Sequence, residues 1–172
     1  MIPLPNNVMK KNIEQGSLAI KTCAVEMEEI MPLVREKLTM GGTATIPVRG
    51  VSMLPMLREG RDSVVLSPIG RELKKRDIVL YQRTDGNYIL HRIADVGECY
   101  TCIGDAQFVF ERGIAPSQMI AVVTEVRRGK RQISISHPLY RLYAVVWEVS
   151  RPARRFVIRV KRKLCRMLAG KK

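Results

Sequence analysis

The stretch from Val48 to Leu57 places one serine among residues that restrain the backbone. Gly50 comes before Ser52 and Pro55 follows it, which predicts a turn after a strand. A hydroxyl on such a turn is a candidate nucleophile, although it needs a base to accept its proton. The alternative is a turn serine that caps a short helix. The residues that would form an apolar substrate groove around it are Met53, Leu54, Pro55 and Met56.

Two histidines are the candidate bases, and their surroundings differ. His137 precedes Pro138 at the start of a predicted helix, which is typical of a capping or surface residue. His91 lies between Leu90 and Arg92 inside a predicted strand. A neutral imidazole near pH 7 can take a hydroxyl proton and return it to a leaving amine. A single histidine in a strand also suits a structural role, so the strand position alone leaves both interpretations of His91 open.

An ordered series of short motifs extends from this serine to the middle of the chain. The series is Ser52-Met53-Leu54-Pro55, Arg61-Asp62, Arg76-Asp77-Ile78-Val79, Leu90-His91-Arg92-Ile93, Gly104-Asp105 and Glu111-Arg112. Over residues 43–126 it resembles the catalytic domain of type I signal peptidases and their LexA-like relatives. The histidine followed by arginine is similar to the endoplasmic-reticulum-type branch, in which histidine replaces the bacterial lysine base.

The resemblance implies a serine endopeptidase and a set of site residues. By this likeness Ser52 is the nucleophile and His91 is the general base. Glu111 is the first candidate for the acid that orients His91, and Asp105 is the second. Some relatives stabilise the oxyanion with a serine hydroxyl two residues before the nucleophile, where this chain has Gly50. The oxyanion would then rest mainly on the Ser52 N–H and one neighbouring donor. No cofactor or metal is implied.

Two periodicities predict the elements that position these residues. Apolar residues recur at helical spacing from Ser17 to Met40, which predicts an amphipathic helix packed against the β barrel, with a partner-binding helix as the alternative. From residue 43 to residue 135, short alternating segments separated by turns predict a mainly β fold, an antiparallel and partly closed β barrel. The predicted strands are Thr43–Val48, Ser63–Leu66, Asp77–Gln82, Tyr88–Ala94, Glu98–Ile103, Ile120–Arg127 and Gln132–Ile135.

Three regions follow from these patterns: an N-terminal lead and helix at 1–42, a β-rich catalytic region at 43–135 and a helical tail at 136–172. The net charge of +14 is confined to the last part of the chain. Residues 1–126 hold 15 basic and 15 acidic residues, whereas residues 127–172 hold 15 basic residues and one acid, Glu148.

The residue pattern in the second half of the tail predicts a basic amphipathic helix. Val157, Val160 and Leu164 fall on one side of it, and cations occupy most of the rest: Arg154, Arg155, Arg159, Lys161, Arg162, Lys163 and Arg166. Such a helix suits the surface of an anionic membrane. The alternatives are packing on the barrel with a solvated basic face, and binding of an acidic protein or nucleic acid. Nucleic acid is disfavoured because neither a helix-turn-helix nor an aromatic stacking platform accompanies the charge.

The cysteines and the apolar runs indicate the compartment. Cys99 and Cys102 have the spacing of a Cys-x-x-Cys pair, but strand alternation would place their sulfurs on opposite faces, so they cannot share a metal. Free thiols are expected in a reducing environment. No apolar run approaches the ~20 residues that span a bilayer. We therefore expect a cytoplasmic protein without a spanning anchor, free or at the inner face of a membrane.

Three hypotheses for function remain. The first is a serine endopeptidase that cleaves an extended or leader peptide, with Ser52 as nucleophile and His91 as base. The second is a peptide-binding or membrane-surface protein of the same fold without catalysis. The third is a LexA-like self-cleaving regulator, which the short N-terminal helix and the absence of an evident cleavage segment disfavour.

Overall fold

The computed structural model describes residues 27–169, including the side chains of residues 27–161. The predictions for the polar lead, for the first part of the N-terminal helix with Cys23, and for the chain after Ala169 lie outside the described residues. So do those for the side chains of Arg162, Lys163, Leu164 and Arg166.

Eight strands in the described part of the chain form one antiparallel sheet. They are β1 (Ala44–Pro47), β2 (Asp62–Ser67), β3 (Ile78–Gln82), β4 (Tyr88–Val96), β5 (Tyr100–Ile103), β6 (Glu111–Ile114), β7 (Met119–Arg128) and β8 (Arg131–Ser134). The pairing order is β1-β2-β7-β3-β4-β5-β6. The long strand β7 also pairs with β8, beyond the segment that it pairs with β3. The mainly β, antiparallel class predicted from the sequence is confirmed.

The predicted partial closure into a barrel is not found: within residues 27–169, β1 and β6 end the pairing order and do not pair with each other, so the sheet is not closed. Register shifts interrupt four of the pairings, for example between Val65 and Leu66 and between Ile93 and Asp95. Such irregularities bend strands and increase their twist. Among residues 27–169, the edge strands β1, β6 and β8 each pair on one side only. Of these, β1 ends and β6 begins within a few residues of a candidate site residue.

The predicted strands match seven of the observed ones to within about two residues at each end. The strand that the prediction missed is β6, which contains Glu111. Its four residues include Gly113, with a φ of 73°, and only Ile114 is buried. A short edge strand of this composition lacks the alternation that identifies a half-buried strand.

The two faces of the sheet bury separate apolar clusters. Alternation along β3 assigns Ile78 and Leu80 to the first cluster and Val79 and Tyr81 to the second. Helix α1 (Met27–Thr39) covers the first cluster with Met31, Val34 and Leu38, as the amphipathic pattern predicts. The second cluster also contains Leu73, Ile93, Cys102, Ile114 and Val122.

Two helices follow the sheet: α2 (Pro138–Val149) and α3 (Arg151–Ala169). His137 caps α2 by accepting a hydrogen bond from the Leu139 N–H, 3.3 Å, as its position before Pro138 predicts. Helix α2 buries Tyr140, which packs in the first cluster, and Ala144 one turn later. Among the described residues, none of the helices is long and apolar enough to span a bilayer.

Candidate active site

Ser52 lies on a turn between β1 and β2. Gly50 enters this turn with a φ of 76°, a conformation that favours glycine, and its N–H donates to Glu59 Oε2 at 2.9 Å. After the serine, backbone hydrogen bonds from Leu54 N to Val51 O and from Leu57 N to Met53 O form a tight bend. The side chains of Met53 and Leu57 anchor this bend in the first cluster. Ser52 itself is partly exposed.

A second segment of the chain fixes the backbone of Ser52. The Ser52 carbonyl accepts a 2.8 Å hydrogen bond from the Ala106 N–H, in the loop that follows β5. Gly104 lies so close that a Cβ at this position would be 2.6 Å from the Ser52 carbonyl oxygen. The Gly-Asp motif therefore supports the serine through backbone contact, and its glycine is required by close approach.

His91 is buried near the middle of β4, with an exposed fraction of only 2%. It pairs with Val79 and lies 6.3 Å from the Tyr81 ring, so it faces the second cluster. Its Nδ1 atom is 3.3 Å from Glu111 Oε1 and 3.3 Å from the Tyr81 hydroxyl. The structure thus brings together His91 and Glu111, the acid that the family resemblance favoured.

Glu111 is held by two other residues as well as by its contact with His91. The Tyr81 hydroxyl donates to Glu111 Oε2 at 2.7 Å, and Arg83 Nε donates to the same oxygen at 2.8 Å. Arg83 Nη2 also contacts Oε1, which completes a bidentate pair. Burial alone would raise the pKa of the Glu111 carboxyl, but the Arg83 and Tyr81 hydrogen bonds lower the pKa overall. Glu111 is therefore a carboxylate near neutral pH.

The electrostatic environment keeps His91 neutral. Burial lowers the pKa of His91 from its ordinary value of 6.5, Glu111 and Asp105 oppose this shift, and Arg83 adds to it. A neutral imidazole beside a fixed carboxylate presents one nitrogen as a donor and the other as an acceptor. Donation from Nδ1 to Glu111 would leave Nε2 free to accept a proton.

Asp105 has a different partner. Its carboxylate forms a buried bidentate pair with Arg92, with both N–O distances at 2.8 Å. Arg92 also donates to the Tyr140 hydroxyl of α2 at 3.2 Å and to the Arg76 carbonyl at 3.0 Å. Asp105 therefore joins β4, the loop after β5 and α2, and its carboxylate makes no hydrogen bond to His91 in the described part of the chain.

The Ser52 and His91 side chains are not joined by a hydrogen bond among the described residues. The residues that anchor the Ser52 turn belong to the first cluster, whereas His91 faces the second. The Ser52 N–H, the expected oxyanion donor, is likewise without a hydrogen-bond acceptor among residues 27–169. Catalytic hydrogen bonds in unliganded enzymes are often long and tighten on substrate binding.

Burial divides the four proposed groove residues. Met53 is 2% exposed and packs in the first cluster, so it is a core residue that supports the turn and does not line a surface groove. Leu54 and Met56 are half-buried and Pro55 is exposed, which leaves these three as the groove candidates.

Tyr81, Arg83 and Arg92 are the residues that sequence reasoning did not assign to the site. Tyr81 and His91 face the same side of neighbouring strands, because β3 and β4 pair Val79 with His91 and Tyr81 with Ile89. The hairpin turn Asp85-Gly86-Asn87 fixes this register, so the sequence held a signal for Tyr81. Arg83 could not be found in this way, because its partner Glu111 lies on β6, the strand that the prediction missed.

Cys102 is buried in β5, whereas Cys99 is exposed in the bend before this strand, and both thiols are free. Within the described residues, no group of three or more histidine, cysteine, aspartate or glutamate side chains is arranged to hold a metal. No protein-family model, curated protein or solved structure matches this chain.

Proposed function

We propose that the protein is a serine endopeptidase with the active-site plan of signal peptidases and LexA-like proteins, with Ser52 as nucleophile and His91 as general base. The observation that carries the proposal is the pair of buried His91 and half-buried Glu111, in which a carboxylate fixed by Arg83 and Tyr81 lies 3.3 Å from Nδ1. A general base held in one tautomer by a carboxylate is what an unactivated serine needs.

The proposed reaction begins with attack of Ser52 Oγ on a peptide carbonyl carbon. His91 Nε2 takes the hydroxyl proton as the C–O bond forms, and the Ser52 N–H donates to the developing oxyanion. The proton then passes to the leaving amine as the C–N bond breaks. Water hydrolyses the acyl-enzyme by the same proton path in reverse. Glu111 remains ionised throughout and stabilises the imidazolium.

The substrate would be an extended peptide segment. Within the described residues, β1 and β6 each pair on one side only, so such a segment could add to their outer sides as a further strand. Both edges are close in sequence to the site, since β1 leads to the Ser52 turn and β6 starts at Glu111. The resemblance to signal peptidases implies small residues just before the cut, with Leu54, Pro55 and Met56 beside the bound segment.

A second candidate function, peptide binding without catalysis, is favoured by one observation. In the described part of the chain, Ser52 Oγ and His91 share no hydrogen bond, and the Ser52 turn is anchored in the first cluster whereas His91 faces the second. In this alternative the same sheet edge binds a peptide and the His91–Glu111 pair is structural.

Covalent labelling of Ser52 by a fluorophosphonate, combined with cleavage of a leader-type peptide library followed by mass spectrometry, tests the first function. We expect labelling and cleavage by the wild type and loss of both in Ser52→Ala and His91→Ala. Ser117→Ala is a matched control because Ser117 is exposed in the short 3-10 helix Pro116–Gln118. His137→Asn is the histidine control, since asparagine also caps a helix.

Two results would contradict the peptidase. One is cleavage that survives in Ser52→Ala. The other is a folded wild type that neither reacts with the fluorophosphonate nor cleaves any peptide, together with saturable binding of one of those peptides. That second result would establish the binding function instead.

A further inference from the structure

Helix α2 exposes apolar side chains on the face that points away from the sheet. Tyr140 and Ala144 are buried. Four apolar residues three or four positions apart, which share another face of α2, are largely exposed: Leu139, Leu142, Val146 and Val149. A helix that is apolar on all sides is normally buried. The side chains of residues 27–161 therefore leave the outer face of α2 largely uncovered.

Helix α3 continues this pattern and adds a strong segregation of charge. Phe156, Val157 and Val160 lie on one side, with Phe156 68% exposed. Arg155 and Arg159 are exposed on the other side, and Lys161, one turn after Val157, borders the apolar side. In the sequence, Leu164 and Leu168 extend the apolar spacing, and Arg162 and Arg166 extend the basic one. Cations on every turn together with an apolar stripe are typical of a helix that lies along a membrane–water interface.

The base of α3 is attached to the loop that supports Ser52. Arg154 Nη1 donates to the Asp105 carbonyl at 3.2 Å, and Trp147 Nε1 of α2 donates to the same oxygen at 2.9 Å. Arg151 lies over the ring of Phe110, 5.4 Å from its centroid. Phe110 and its neighbour Val109, which is 78% exposed, add apolar surface at this junction.

We propose that the exposed faces of α2 and α3 dock on an anionic lipid surface. The apolar side chains would enter the boundary between headgroups and acyl chains, while the cations pair with lipid phosphates. Charge complementarity supports this occupant, because residues 127–172 carry the entire net charge of +14. Nucleic acid would use the cations but leave the apolar face in water, since phosphate contacts dominate that kind of binding.

Docking of this kind would place the Ser52 loop next to the membrane surface. The attachment at Asp105 and the contact between Arg151 and Phe110 join the proposed lipid-binding helices to the candidate site without an intervening linker. The proposed partner is the lipid itself, so vesicle binding is separable from peptidase activity.

Sedimentation of the full chain with vesicles tests the proposal. We expect binding to phosphatidylcholine vesicles that contain phosphatidylglycerol, and little binding to phosphatidylcholine alone. Phe156→Ser with Val157→Ser should weaken binding at least about tenfold, because buried apolar groups are lost. Arg155→Ala with Arg159→Ala should weaken it roughly fivefold per charge removed. Ser52→Ala should bind like the wild type, whether or not the peptidase proposal holds.

Two matched controls isolate the surface. Leu33→Ser removes an apolar side chain that is also 68% exposed but lies on α1, and it should leave vesicle binding unchanged. Lys130→Ala with Arg131→Ala removes the same number of charges at the β7–β8 turn, and should have less effect than the α3 pair.

Three results would overturn the proposal. The first is failure of the folded wild type to bind the anionic vesicles. The second is binding that Phe156→Ser with Val157→Ser does not weaken, which would indicate attraction by charge alone. The third is full displacement from vesicles by duplex DNA or a polyglutamate peptide at equal charge concentration, which would assign the surface to nucleic acid or to an acidic protein.

Discussion

The acidic residues of the ordered motifs divide into two kinds by their partners. Asp62, Asp77 and Asp105 each bind arginine side chains and hold turns or loops in place. Glu111 alone among these acids contacts His91. The carboxylate available to orient a base is therefore the one on the strand that the sequence did not reveal.

The pKa of His91 predicts the acid limb of the pH profile. Because burial lowers the pKa of His91 below 6.5, the imidazole stays neutral at pH values where an exposed histidine would be protonated. We expect the rate of Ser52 labelling to stay constant as the pH falls through 6.5 and to decline only at lower pH. A decline centred at or above pH 6.5 would contradict the assignment of His91 as the base.

Arg83 should affect the midpoint of this pH profile although it does not contact Ser52. Its positive charge lowers the pKa of His91, so Arg83→Gln should move the midpoint of the labelling profile to higher pH. Arg83→Lys keeps the charge but loses the bidentate geometry, and its midpoint should stay near that of the wild type. Equal profiles for Arg83→Gln and the wild type would exclude electrostatic coupling between the two side chains.

Glu111→Gln should lower the labelling rate by at least about 100-fold, because the amide no longer stabilises an imidazolium. Its thermal midpoint, measured in parallel, separates this loss from unfolding. Glu72→Gln makes the same change at an exposed glutamate and should leave the rate unaltered. A rate within a few-fold of the wild type in Glu111→Gln would show that the pair is structural.

At the scale of elements, the loop after β5 is the connection between the serine turn and the helices. Its backbone contacts Ser52 through Gly104 and Ala106, and its Asp105 carbonyl accepts from Trp147 and Arg154. The loop thus has two contact sides, one toward the candidate nucleophile and one toward α2 and α3.

Gly104→Ala should disturb this connection. The added Cβ would lie 2.6 Å from the Ser52 carbonyl, so the loop or the serine turn must move. We expect a loss of about 1–3 kcal/mol in the free energy of unfolding, as for other overpacked sites, together with slower Ser52 labelling. Gly70→Ala is the control, because a Cβ there meets no atom within 4 Å. Equal stabilities of the two variants by chemical denaturation would contradict the close approach.

The elements that the sequence predicts well are those whose periodicity is strong. The strands around Val64, Leu80 and Val123 alternate or form apolar runs, and α1 shows a helical stripe. Contacts between distant segments could not be predicted in this way, because periodicity carries no information on which loop meets which turn. The contact between Ser52 and Ala106, and the pairing of Asp105 with Arg92, are of this kind.

At the scale of the whole molecule, Asp62 joins β2 and β7 to the serine turn. It is 3% exposed and accepts hydrogen bonds from Arg61 and Arg128, and also from the Arg58 N–H. Burial alone would raise the pKa of the Asp62 carboxyl, but these hydrogen bonds lower the pKa from 3.8 to about 2.

The lowered pKa of Asp62 predicts acid sensitivity. The stabilisation from this carboxylate is complete above pH 3.8 and is lost as the pH falls toward about 2, because the unfolded chain binds the proton more readily. Asp62→Asn should therefore lower the free energy of unfolding by about 2 kcal/mol at neutral pH. The difference from the wild type should shrink as the pH falls below 3.8. A difference that is constant with pH in urea titrations would contradict the charge-based origin.

The position of Trp147 gives the protein an internal optical reporter. It is the only tryptophan of the chain, its ring stacks on Tyr143 at 5.7 Å and under the Arg154 guanidinium at 3.6 Å, and its N–H is bonded to the Asp105 carbonyl. Any displacement of the loop beneath Ser52 or of the start of α3 changes the polarity and quenching around this one ring. The steady-state fluorescence of the unmodified protein can therefore report a movement of this loop or of α3. Acrylamide quenching can measure how far the Trp147 ring becomes exposed to solvent.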